Sequence, residues 1–228
     1  MHPDPTASPF NAIPPVVLVL VALIGGAEIL FQLGAAGLIG GAAGVGLRIE
    51  ALNGFAFSPA IFDRMVVTGQ VAPGDLLRFV TYPFVHLGLG HVLFVLVFLL
   101  ALGKMVAEVF SPLAFLTVFF GSAIAGALVY GLALNQPQAL IGGYPAVYGL
   151  IGAYTFMIWI GLGARGESQY RAFTLIAFLL GIQLIFGLAF GGSLDWVADI
   201  SGFAAGFGLS FLVSPGGWNR TLARLRNR

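Results

Sequence analysis

Long apolar runs alternate along this chain with short breaks marked by glycine, proline or charge. Six runs extend over about 20 residues: 15–34, 84–103, 112–133, 144–163, 172–190 and 196–213. A helix needs about 20 mostly apolar residues to cross the hydrocarbon core of a bilayer, so each run predicts a transmembrane helix. Few polar side chains interrupt them. Glu28 lies in the first run, His86 and His91 near the start of the second, and Asp199 near the start of the sixth, while the third carries no charge. Residues 41–82 are mixed, with Arg48, Glu50, Asp63, Arg64, Asp75 and Arg78. That stretch is too polar to span and too long for a plain turn. It predicts a long loop with short interfacial helices, residues 58–67 among them. The expected organisation is a disordered, proline-rich lead-in over 1–14, one membrane domain over 15–213 and a basic tail over 214–228.

Composition agrees with lipid as the solvent. Charged residues make up 8% of the chain and hydrophobic ones 59%, against about 25% charged in soluble domains. So little charge could not cover a globular surface in water. The net charge of +1 gives no polyelectrolyte attraction, so nucleic acid is not an expected partner. The absence of cysteine excludes disulfides and thiolate metal sites, and no cofactor is implied.

Lys104, Arg165, Arg171, Arg220, Arg224, Arg226 and Arg228 fall on one side of the predicted spans, and Arg48, Arg64 and Arg78 on the other. The positive-inside bias then puts both termini in the cytoplasm and the long loop outside. The arginine-rich tail suits an anionic inner leaflet. No Lys or Arg precedes the first run and no cleavage site follows it, which is unlike a signal peptide. The expectation is an integral protein of a bacterial inner membrane.

Ionisable groups inside a membrane cost about 2.5–3.5 kcal/mol each on insertion scales and need a reason. Glu28, His91, Tyr144 and Asp199 all fall in the outward half of their spans, which predicts one shared polar cavity open to the outside. Gly202 and Gly206 form a Gly-x-x-x-Gly face on the sixth span, and Gly149 and Gly152 offer a thin surface on the fourth. Contact there would bring Tyr144 near Asp199, and a bond from the Tyr144 hydroxyl to that carboxylate is expected. A metal site on His86 and His91 is disfavoured, because five residues turn a helix by about 140° and no third ligand is available. Glu28 and Asp199 carry no aspartyl-protease motif, and no inverted repeat suggests a transporter.

Three stretches taken in order carry a resemblance. Arg78 to His86 runs into His91 and Val95 in the pattern His, four residues, His, three residues. Gly142-Gly143-Tyr144-Pro145 opens the fourth span, followed by Tyr148, Leu150 and Gly152. Ala198-Asp199-Ile200-Ser201-Gly202 leads to Gly206 in the sixth. Together they resemble the rhomboid intramembrane serine proteases, over all six spans. The resemblance implies an all-α, six-transmembrane-helix bundle with a long outward loop between helices 1 and 2.

The resemblance also marks three departures. Tyr144 stands where the family carries its nucleophilic serine, with Pro145 in place of the following glycine. Asp199 stands at the histidine of the dyad. Val95 stands at the asparagine that, with the histidine matched by His91, helps bind the oxyanion. A serine needs an adjacent base to become nucleophilic, and neither dyad member is present. The resemblance therefore implies a pseudoprotease that binds transmembrane segments of client or partner proteins without cutting them. The alternatives are an active enzyme with a non-standard site and an accessory subunit of a membrane complex.

Overall fold

A computed structural model of the chain describes residues 12–134, 137–191 and 193–217. The lead-in through residue 11 and the tail from Trp218 onward lie outside the described residues. The order is α1 (Pro15–Ala35), α2 (Gly41–Gly44), α3 (Leu47–Phe55), α4 (Pro59–Thr68), α5 (Pro73–Thr81), a 3₁₀ turn (Tyr82–Phe84), α6 (Leu89–Ala107), α7 (Pro112–Ala133), α8 (Tyr144–Ala164), a second 3₁₀ turn (Gln169–Phe173), α9 (Thr174–Phe190) and α10 (Trp196–Val213). Among the described residues there is no strand beyond the isolated pairing of Phe57 with Leu140.

Local chemistry sets many of the boundaries. Helices α1, α4, α5 and α7 each begin on proline, whose missing N–H is not needed in a first turn. The hydroxyls of Ser58 and Ser111 accept from the amides of Ile61 and Ala114, at 3.4 and 3.2 Å, and cap α4 and α7. The second apolar run begins its helix at Leu89 rather than near residue 84. Pro83 sits in the 3₁₀ turn and Gly88 is extended, so His86 precedes the helix instead of lying in its first turns.

Among the described residues five helices, α1, α6, α7, α8 and α10, are long and apolar enough to cross a membrane. The run expected as the fifth span is split into the 3₁₀ turn and the 17-residue α9. At 1.5 Å per residue α9 is about 25 Å long, at the short end of the spanning range. The stretch between the first two spans is more helical than expected, with α3, α4 and α5 in sequence.

Helix α8 is the hub. Every residue from Pro145 to Ala153 is buried, as a helix surrounded by other helices requires. It packs against α6, α7 and α10. Glycine lets α10 come so close. A Cβ on Gly202 would collide with the Pro145 carbonyl, and one on Gly206 with the backbone of Gly149. The loop helices are tied back to the bundle. Phe57 and Leu140 exchange backbone hydrogen bonds of 3.1 and 2.9 Å. Arg78 donates to the carbonyls of Ala56 and Asn53 at 2.8 Å each.

Candidate functional site

The starts of α6, α8 and α10 meet at one end of the bundle, around Gly142 and Gly143. The Gly142 amide donates to the Tyr82 carbonyl at 3.0 Å, and the Tyr82 hydroxyl donates to the Ala123 carbonyl of α7 at 2.8 Å. This fixes the turn that delivers Tyr144. Gly142 has φ +84°, and a Cβ there would stand 2.5 Å from His91 Cε1, so only glycine serves. A Cβ on Gly143 would lie 2.9 Å from Val95 Cγ1. Val95, at the asparagine position, is fully buried and presses its methyl groups on this turn.

The Gly143 amide donates to His86 Nε2 at 3.2 Å, which requires that nitrogen to be unprotonated. Burial, with His91 alongside, pushes the His86 imidazole down to about 4. The rings of His86 and His91 lie 5.3 Å apart, and those of His91 and Tyr144 5.1 Å. The three form a ladder. Tyr144 is half-buried, and its hydroxyl donates to the His91 carbonyl at 3.3 Å.

Two hydrogen-bonded groups flank the ladder. On one side the guanidinium of Arg48 donates to both carboxylate oxygens of Glu28, at 2.8 Å each, and to the His86 carbonyl at 2.5 Å. Gln32 adds a bond to Glu28 at 2.7 Å. On the other side the Gln183 amide donates to Asp199 Oδ2 at 3.0 Å, and its carbonyl accepts from the Tyr148 hydroxyl at 3.3 Å.

This placement corrects one expectation. The Tyr144 hydroxyl is bonded to the His91 carbonyl rather than to Asp199, whose carboxylate is taken by Gln183. Glu28 is bonded by Arg48 and Gln32. Pro145 lies in the first turn of α8, and Gly202 and Gly206 lie at the crossing with α10.

Arg48, Tyr82 and Gln183 were not legible as site residues. A charged residue in the first span does ask for a partner, and that signal could have singled out Arg48. A lone amide in the otherwise apolar run 172–190 could have singled out Gln183. Four serines among the described residues are candidates for a displaced nucleophile. Ser111 caps α7, Ser193 bonds Asp195 at 2.7 Å and Ser201 bonds the Val197 carbonyl at 2.6 Å. Ser122 is buried against Gly149 without a partner. None of these four bonds a histidine.

A helical bundle with the family's three motif positions gathered at one end defines a polytopic membrane protein of intramembrane-protease architecture. The profile of the Rhomboid domain matches residues 73–216, from the start of α5 to just past α10, and the chain belongs to the rhomboid family. It is an integral membrane protein. It is 34% identical to Rhomboid-like protease 3 of Toxoplasma gondii, over 71% of this chain and 57% of that protein. It is 29% identical to YdcA, a rhomboid-family relative from Bacillus subtilis, over 73% of this chain and 85% of YdcA. Rhomboid-like protease 1 of Toxoplasma gondii is 25% identical over 73% of this chain and 55% of its own length. The matches thus span little more than half of the two Toxoplasma proteins.

Proposed function

We propose that this chain is a rhomboid pseudoprotease of a bacterial inner membrane, with both termini in the cytoplasm, that binds transmembrane segments of client or partner proteins without cleaving them. The observation that carries this reading is the pair at the dyad positions. Tyr144 is bonded to the His91 carbonyl, and Asp199 is engaged by Gln183. A phenol has an ordinary pKa near 10. The proton-shuttling imidazole that would activate a nucleophile is replaced at its position by a carboxylate. Loss of one member of a catalytic triad costs about 10⁴–10⁶ in rate in serine proteases, and here both positions differ. The relatives bear protease names, and the reading departs from those names on these two residues.

Client binding is supported by the architecture. The family resemblance places a lateral gate between the second and fifth spans, here α6 and α9. Among the described residues, the first half of α9 packs on α6 and α8 through Leu175, Ile176, Leu179 and Leu180.

The test is cleavage of a generic transmembrane rhomboid substrate by the purified protein in proteoliposomes, with fluorophosphonate labelling and photo-crosslinking of the substrate in parallel. The expected result is crosslinking with neither cleavage nor label. Cleavage above a heat-denatured control would overturn the reading, and mapping the labelled peptide would then locate the nucleophile.

A further inference from the structure

Helix α9 is held by two unlike kinds of contact. Its first half sends Leu175, Ile176, Leu179 and Leu180 into an apolar cluster with Leu102 of α6 and Ile151 of α8. Past that cluster Leu184 and Ile185 turn outward, 63% and 66% exposed. Gln183 is the polar tie at this point. Its amide donates to Asp199 of α10 and its carbonyl accepts from Tyr148 of α8. Asp199 and Tyr148 are both buried, at 4% and 8% exposure. One side chain therefore joins α9 to two helices, at the end of the bundle where Tyr144 and His91 also lie.

Moving this end of α9 aside would break both bonds together. Each buried polar group left without a partner costs about 1–3 kcal/mol, more if charged, and lipid offers no replacement. An apolar segment sliding in beside α8 and α10 would leave the Asp199 carboxylate and the Tyr148 hydroxyl unpaired. An amide side chain would not, because it presents the same donor and acceptor as Gln183.

We propose that Gln183 is a polar latch on α9, and that the membrane segments this protein holds are selected by an Asn or Gln side chain that takes Gln183's place on Asp199 and Tyr148. The proposal rests on the reading of the chain as a binder of transmembrane segments and gives that binder a chemical preference.

Two measurements on the full chain in proteoliposomes test it. The first compares photo-crosslinking of two synthetic leucine–alanine transmembrane helices, identical except for one Asn placed in the outer half. The Asn helix is expected to crosslink on the order of tenfold more, equivalent to about 1.4 kcal/mol. The preference is expected to vanish in Asp199→Leu/Tyr148→Phe, where an apolar helix no longer leaves a buried carboxylate and hydroxyl unpaired and crosslinks as strongly as the Asn helix. Equal crosslinking of both helices to the native chain would overturn the amide preference and leave transmembrane-segment binding standing. Crosslinking of neither would remove that binding, and the proposal with it.

The second measurement concerns the latch alone. The chain has no cysteine, so spin labels at Ile185→Cys and Leu93→Cys, both exposed, report the separation of α9 from α6. Gln183→Leu is expected to lengthen and broaden the distance distribution, and Gln183→Asn, which keeps a donor for Asp199 and an acceptor for Tyr148 on a shorter side chain, to broaden it less than Gln183→Leu. An unchanged distribution in Gln183→Leu would overturn the latch.

Discussion

At the scale of single residues, glycines decide how closely the helices approach. On α10, Gly206 faces the backbone of Gly149, whereas Gly208 has nothing within 4 Å of where a Cβ would stand. Gly206→Ala must therefore push two backbones apart, at roughly 1–3 kcal/mol for an overpacked core. Gly208→Ala gains helix propensity of up to about 1 kcal/mol. Thermal unfolding in detergent should show a lowered midpoint for the first and an unchanged or raised one for the second. His86 offers a test of a different kind. Its folded pKa of about 4 lies below the ordinary 6.5, so the unfolded chain binds more protons between those values. The stability this group contributes is complete above about pH 6.5 and is lost as pH falls through that window. Arg48, Glu28 and His91 face it. Glutamine can accept from Gly143 without titrating, so His86→Gln should lose less thermal stability than the native chain between pH 7 and pH 5. Equal losses would show that His86 does not titrate in this way.

Among elements, the buried pair Glu28–Arg48 is the polar link between α1 and α3, and through the His86 carbonyl it reaches the approach to α6. Removing one partner of a buried pair leaves a charge uncompensated, at roughly 3–5 kcal/mol. Arg48→Met should lower the unfolding midpoint strongly, and Glu28→Leu/Arg48→Met should recover part of the loss. Full recovery would mean that the bond to the His86 carbonyl contributes nothing. The sequence made some of this visible. Hydropathy located the spans because lipid imposes a length and an apolar content on every crossing helix, and the Gly-x-x-x-Gly face on α10 announced a close neighbour. Partners across the bundle were less legible. The Glu28 carboxylate needed a cation, but nothing local distinguishes Arg48 from Arg64 or Arg78. Tyr144 and Asp199 were expected to bond because their helices touch, yet which hydroxyl meets which acceptor depends on rotations of a few tens of degrees. Spacing does not encode those rotations. The start of α6 was misplaced because hydropathy is blind to the 3₁₀ turn that Pro83 sets.

For the whole molecule, the question is whether the scaffold holds the geometry that a serine–histidine pair at positions 144 and 199 would need. The crossing of α8 and α10 depends on glycine contacts at Gly149, Gly202 and Gly206, and the turn before α8 on Tyr82, Phe57 and Leu140. None of these involves the Tyr144 or Asp199 side chain. Replacing those side chains should therefore leave the frame in place. Tyr144→Ser alone supplies a hydroxyl with no base beside it and should remain unlabelled by fluorophosphonate. Tyr144→Ser/Asp199→His/Val95→Asn places the family's serine, histidine and asparagine on the same three helices and should label and cleave a transmembrane substrate. The unfolding midpoint of each variant, measured alongside, separates loss of fold from loss of chemistry. A triple variant that is folded and silent would show that these three side chains are not sufficient and that the backbone around them differs as well. Pro145, which removes an amide from the first turn of α8, would be the next position to change.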